Sequence, residues 1–344
     1  MKSPKKKLSQ AAFISPSITL GEYAHQVLGE QYRSMVKYEN KVLADKDPED
    51  LHDMRVGTRR LRTALQIFHV AVDLPDDARE KRIGSLAKVL GRLRDLDVQI
   101  ADLENTYRPQ LDGKERKWLD GAIASLHKQR QRDYTATVDT LEKSGYQALK
   151  DAYKTWLKYP QYTALAQLPI TSLLPDLLSP LLSELLLHPG WLISADNALA
   201  GDDKTLHNLR KMCKHVRYQA EFFLPFYGDP FKDWIKDVKT LQDKLGKLQD
   251  NHVLLELLKE HLPKRAKLPT LQATVQQTRS QALSGWDTTR QKYLDSTFRN
   301  GLHQMLLEPV PLAEPSVETN GDRKKTPLKA ASKTISKTST ADKK

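Results

Sequence analysis

His52-Asp-Met-Arg55-Val-Gly-Thr-Arg59-Arg60-Leu-Arg62 returns 155 residues later as His207-Asn-Leu-Arg210-Lys-Met-Cys-Lys214-His-Val-Arg217, with each histidine and each main-row cation in register. Both copies begin at a leucine (Leu51, Leu206) and run to a phenylalanine (Phe68, Phe223). The same offset lays Leu90-Gly91-Arg92-Leu93-Arg94-Asp95-Leu96-Asp97-Val98 over Leu245-Gly246-Lys247-Leu248-Gln249-Asp250-Asn251-His252-Val253. One offset shared by two consecutive elements marks a duplicated supersecondary unit. Two copies are too few for a solenoid and suit a two-lobed domain.

The spacing predicts a helix in each copy, because about 3.6 residues per turn advances each side chain by about 100°. With His52 at zero, Arg55, Arg59, Arg62, Thr63 and Gln66 share one face, while Leu51, Met54, Leu61, Ala64, Leu65 and Phe68 take the other. In the second copy His207, Arg210, Lys214, Arg217, Tyr218 and Glu221 hold the polar positions, and Leu206, Leu209, Met212, Val216, Ala220 and Phe223 the apolar ones. Asp47-Pro48-Glu49-Asp50 and Asp202-Asp203 precede the two segments and supply cap acceptors, a first-turn proline and carboxylates at the positive helix end.

Cations four apart on one helix repel, and a purely structural face would interleave Glu or Asp. The first copy interleaves none. Arginine stays charged and offers a planar fork suited to phosphate oxygens, and a neighbouring histidine adds a donor that becomes cationic beside an anion. Arg55 to Arg62 covers about 10 Å of helix axis, enough to grip consecutive groups of an extended polyanion. The expected counter-ion is therefore phosphate-rich, and His52, Arg55, Arg59 and Arg62 are expected to line one anionic site with His207, Arg210, Lys214 and Arg217.

These segments resemble the CHAD domains, named for a repeated histidine in an all-helical fold. His52-x-x-Arg55-Val-x-Thr-Arg59-Arg60-Leu-Arg62 with Leu90-Gly91-x-x-Arg94-Asp95-Leu96-Asp97-Val98 resembles the family's first-half signature. His207-x-x-Arg210-Lys211-x-x-Lys214-x-x-Arg217-Tyr218-x-x-Glu221 resembles its second. The resemblance covers about residues 17–305. It implies an all-α fold of two four-helix bundles related by pseudo-two-fold symmetry, with the basic rows facing a central pore or groove that binds inorganic polyphosphate. The halves are expected at about 17–143 and 171–305, joined by a connector at 144–170. The second copy departs from the pattern at His215, Gln249 and Glu221, which weakens its positive field.

The chain of 344 residues carries a net charge of +12. Much of this is terminal: Lys2, Lys5, Lys6 and Lys7 give residues 1–12 a charge of +4, and residues 315–344 hold +5, leaving +3 for the middle. Placement of charge, not its total, therefore carries the argument. Few glycines and no alternating strand pattern favour an all-α domain. Helices are expected near 20–45, 48–72, 76–107, 111–142, 146–158, 176–187, 203–224, 230–261 and 268–305. Leu173 to Leu187 is greasy but contains Pro175, Asp176, Pro180 and Glu184, which reads as a buried helix and not a membrane span. The basic N-terminus lacks a following apolar run, so a cytoplasmic protein is expected, with polyphosphate granules as the place to which it would be recruited. Residues 1–16 and 306–344 read as disordered, the latter rich in Lys, Ser, Thr and Pro.

Lys88 and Arg94 are expected to reach the anion from the next helix, and Asp95, Asp97 and Asp250 to orient or neutralise cations such as Arg94 and Lys88. A metal at His52 is disfavoured by the flanking cations and by the lack of other ligands at suitable spacing. Cys213 is the single cysteine, which excludes an internal disulfide and reads as packing. No cofactor is expected. No Walker loop, Glu-x-Glu-x-Lys motif or nucleophile–base pair is present, so no enzyme is expected; His52-x-x-Arg55 only approximates the spacing of a histidine phosphotransfer bundle. The main competing reading is a nucleic-acid binder, which would add base-edge contacts or aromatic platforms. The rows hold one aromatic, Tyr218, so weak nucleic-acid affinity is assigned to the basic tails alone.

Overall fold

Asp47 starts the first basic helix as its sequence requires: its side chain accepts a hydrogen bond from the Glu49 amide at 2.9 Å, and Pro48 occupies the first turn. In this computed structural model the described residues are 15, 17–200, 203–263 and 266–310, and they fall within one compact unit. Asp202 and the side chain of Asp203, the expected cap of the second basic helix, and most of both expected tails lie outside what the structure describes.

The described elements are almost all helical. In chain order they are α1 (Leu20–Val36), α2 (Glu39–Ala44), α3 (Pro48–Phe68), α4 (Glu80–Asp102), α5 (Gly113–Glu142), α6 (Ser144–Lys158) and α7 (Leu174–Leu186). They continue as α8 (Ala195–Ala200), α9 (Asp203–Ala220), α10 (Asp229–His261), α11 (Pro269–Ala282), α12 (Trp286–Leu294) and α13 (Ser296–Leu307). A two-residue antiparallel pair, β1 (Val72–Asp73) with β2 (Gln161–Tyr162), is the exception to the helical expectation.

Several boundaries differ from the sequence reading, each for a local reason. The helix expected over 20–45 divides at Lys37–Tyr38, and the one expected over 268–305 becomes three. Gly285 adopts a left-handed φ of 71°, and Asp295 then caps α13 by accepting from the Phe298 amide at 2.8 Å. The second basic helix ends at Ala220 and tightens into a 3₁₀ segment, Glu221–Phe226, that contains Pro225. The connector folds back on the first half: Leu20 N–H donates to the Leu168 carbonyl and Ile170 N–H to that of Ile18.

Two separate apolar clusters hold the helices. The larger gathers the buried faces of α1, α3, α6, α7, α9, α12 and α13 around Phe68, Phe223, Phe226 and Trp191. Tyr23 donates to the Phe222 carbonyl there and meets Phe68 and Phe226 edge-on, tying the two halves together. The smaller cluster joins the far ends of α4 and α5, through Leu103 and Leu126, to those of α10 and α11, through Leu258 and Val275. α4 passes from the first cluster to the second between Leu93 and Leu96, and α10 does so between Leu248 and Leu254. Asp95 and Asp250 stand at these two crossings. Cys213 is fully buried in the larger cluster, and burial pushes its thiol up, which suits packing. α7 packs against α9 and α13, and no helix among the described residues is long and apolar enough to cross a membrane.

Candidate functional site

The apolar face of α3 (Leu51, Met54, Leu61, Leu65, Phe68) is buried, and burying it turns Arg55, Arg59 and Arg62 the opposite way. α9 does the same with Leu206, Leu209, Cys213 and Val216. α3 and α9 pack against each other, so the two rows meet. The clearest sign is Tyr218, whose ring carries the Arg59 guanidinium 4.4 Å from its centroid and that of Arg217 4.2 Å away. Each such contact holds a cation by the ring's quadrupole.

The repeat extends to individual contacts. Arg55 Nη2 lies 3.2 Å from Asp95 Oδ1, and Arg210 Nη2 lies 3.6 Å from Asp250 Oδ1. A Cβ at Gly91 would sit 3.7 Å from Arg55 Nε, and one at Gly246 would sit 3.5 Å from Arg210 Nε. Each glycine therefore leaves a flat place on the neighbouring helix where an arginine lies, and the aspartate one turn on steers it. Each aspartate engages one nitrogen, so most of the arginine's five donors stay available. Sequence reasoning missed this role for Gly91 and Gly246, although both stand in the repeated segment.

The electrostatics are those of a crowded cationic site. Lys214 is lowered from 10.5 to about 8, first by burial and then by Arg59, Arg55 and Arg210, with Asp95 opposing. Burial, with Arg55, Arg217 and Arg60 adding to it, also lowers Arg59, whose Nε is buried without a partner. His52 is lowered by burial and by Arg94, and His207 by burial and by Lys211 and Arg210. Gln249, which replaces Arg94 in the second copy, stands near His207 and opposes this lowering. Asp250 is raised by burial although its side chain is 73% exposed, and Asp95 is 63% exposed.

Acidic side chains meet both rows. Besides Asp95 and Asp250, Glu80 holds Arg62, and Glu221 holds Arg217 at 3.2 Å and Arg60 at 2.8 Å. The first copy interleaves no acid because its carboxylates come from other segments, a pairing invisible along one helix. Arg60, off the main row, is thereby an ion-pair bridge between the halves. The partners assigned to the aspartates are corrected: Asp95 pairs with Arg55, and Asp97 with Arg130 at 2.8 Å. Arg94 instead donates to the Pro48 carbonyl at 3.0 Å and to Glu49 at 2.9 Å, fastening α4 to the start of α3. Lys88 is exposed, beside Arg62. Among the described residues no cluster of His, Cys, Asp or Glu is arranged to hold a metal ion.

The sequence matches the CHAD domain family over residues 26–259. The crystal structure of the CHAD domain from the plant Ricinus communis superimposes with a TM-score of 0.54 at 24% identity, covering 88% of this chain and 97% of that one. PptA from Streptomyces chartreusis superimposes with a TM-score of 0.58 at 15% identity, covering 81% of this chain and 99% of that one. At these identities the structures speak for the fold alone. No curated protein matches the sequence.

Proposed function

The chain belongs to the CHAD domain family, and from that premise we propose that its two facing rows bind inorganic polyphosphate in a basic passage between pseudo-symmetric halves. The observation that carries this reading is the meeting of the two rows, where Arg59 and Arg217 share the Tyr218 ring and Lys214 is crowded by Arg59, Arg55 and Arg210. Such an arrangement is unfavourable by itself and becomes favourable once an anion enters. Arg55 and Arg210, steered by Asp95 and Asp250, present donors from opposite helices, so a flexible chain of phosphates meets cations on two sides. Many weak contacts on one chain add to tight binding and give an affinity that falls steeply with salt.

The protein acts as a binding module and not as an enzyme in this reading, since among the described residues the rows are dominated by cations and their carboxylate partners. His52 and His207 are donors at the starts of the rows, and Arg94, bonded to the Pro48 carbonyl and Glu49, fastens α4 beside the first of them. Retention on polyphosphate granules in the cytoplasm follows from such affinity. A nucleic acid would share the phosphate contacts, but Tyr218 is buried and already holds two arginines, so it offers no open face to a base.

The test is a titration of long-chain polyphosphate, single-stranded RNA and duplex DNA at matched salt. Preference for polyphosphate, lost in Arg59→Glu with Lys214→Glu while helical circular dichroism is retained, is the expected result. Equal affinity for all three polymers would overturn the selectivity, and binding that survives the double reversal would overturn the site.

A further inference from the structure

The two rows end differently. Arg62 and its repeat counterpart Arg217 are the last cations of each. Arg217 is held by Glu221 on its own helix, lies against Tyr218, and has a side chain only 10% exposed. The counterpart of Glu221 is Gln66, which carries no charge. Arg62 therefore lacks an intrahelical carboxylate and takes Glu80 from the start of α4 instead, with Gln66 Nε2 donating to the same oxygen at 3.4 Å. The Arg62 side chain is 45% exposed.

Arg62 opens on a depression of about 490 Å³ whose other main walls are Glu80, Lys81, Gly84, Ser85 and Lys88. Gly84 makes room for the guanidinium, since a Cβ there would stand 3.4 Å from Arg62 Nε. Lys81 and Lys88 have no carboxylate partner among the described residues. Among the described residues the second half has nothing equivalent at these positions. Its counterparts of Gly84 and Lys88 are Lys239 and Asp243, which pair with each other, and the counterpart of Lys81 is Lys236, which pairs with Asp233. One row thus ends in a closed ion pair, and the other in an open cationic hollow with a single acid across it.

We propose that this hollow receives the part of a phosphate chain that emerges from the rows, with Glu80 occupying the Arg62 fork until a phosphate oxygen displaces it. The inference rests on the polyphosphate reading above and gives it a direction: the chain leaves on the first-half side. The Arg62–Glu80 pair is exposed and so is easily exchanged, and phosphate brings more charge to the same fork. Lys81 and Lys88 then act as point charges on the outgoing chain, and the Ser85 hydroxyl, which donates to the Lys81 carbonyl at 3.0 Å, can turn to a phosphate oxygen. Glu80 is a selectivity residue, because its carboxylate must be outcompeted: a long chain, anchored in the rows, does this readily, and a short one does not reach.

The experiment compares the full chain with Glu80→Gln and with Lys81→Ala plus Lys88→Ala, using long-chain polyphosphate and tripolyphosphate as probes at matched ionic strength. Glu80→Gln should tighten long-chain binding about three- to tenfold and leave tripolyphosphate unchanged, and the double lysine variant should weaken long-chain binding by about tenfold. Unchanged long-chain affinity in both variants, or an equal change for the short probe, overturns the hollow as a binding place. If that happens while Arg59→Glu with Lys214→Glu still abolishes binding, the central site stands without the hollow. If the unmodified protein binds no polyphosphate, both readings fall.

Discussion

Replacing Lys214 by methionine should make this protein more stable and a poorer anion binder. Methionine keeps the length and apolar stem of the side chain and removes the ammonium. The fall from 10.5 to about 8, at 1.36 kcal/mol per pKa unit, corresponds to about 3 kcal/mol of unfavourable charging in the folded state. Halving this for the water that still reaches the group leaves about 1–2 kcal/mol gained at pH 7, or a rise in Tm of about 2–3 °C for a chain of this size. The sign with pH is fixed. Below about 8 the lysine is charged in folded and unfolded chains alike, and the cost is fully present. Between about 8 and 10.5 the unfolded chain holds the proton more tightly, so the stability of the unmodified protein rises with pH and the gap to the variant closes. Urea denaturation of both proteins at pH 7 and near the top of that window measures the gap directly. A variant no more stable than the parent at pH 7, or an advantage that persists undiminished at high pH, would refute the argument that Lys214 is held at a cost for the sake of its charge.

Other consequences follow from the same geometry. Anion binding should take up protons, because Lys214, His52 and His207 all start lowered and a phosphate raises them. Lys214 is faced by Arg55, Arg59, Arg210 and Asp95, His52 by Arg94, Glu49, Asp53 and Arg59, and His207 by Lys211, Arg210 and His252. Affinity should therefore fall as pH rises above about 8, and calorimetry in buffers of different ionisation enthalpy should count the protons; heats independent of buffer would contradict this. Glu221→Ala should destabilise by about 2–3 kcal/mol, read by urea midpoint, because it leaves the half-buried Arg60 and the buried Arg217 without their shared carboxylate. Gly57→Ala should cost about 1–3 kcal/mol, since its Cβ would fall 2.8 Å from the Met35 backbone nitrogen, where α1 crosses α3; a neutral effect would mean the two helices separate freely.

What the sequence alone determined was the part governed by spacing. The apolar positions of α3 and α9 fix which face each helix buries, and the 155-residue offset pairs Arg55 with Arg210 and Arg59 with Lys214 by position along the chain. The same offset carried Gly91 with Gly246 and Asp95 with Asp250, but only the packed helices showed that these residues serve Arg55 and Arg210. Only the tertiary structure decided which charges meet. Glu80, Glu49 and Glu221 reach Arg62, Arg94 and Arg60 from 18, 45 and 161 residues away, and helical periodicity holds no information about partners on other helices. Burial made the same difference to Lys214: along the chain it is one cation among several, and only packing α9 against α3 crowds it with Arg55 and Arg59 in a place that water reaches poorly. The unequal ends of the rows arose from both sources, a Gln66-for-Glu221 difference readable in the sequence and an open hollow beside Gly84 that required the helices to be set side by side.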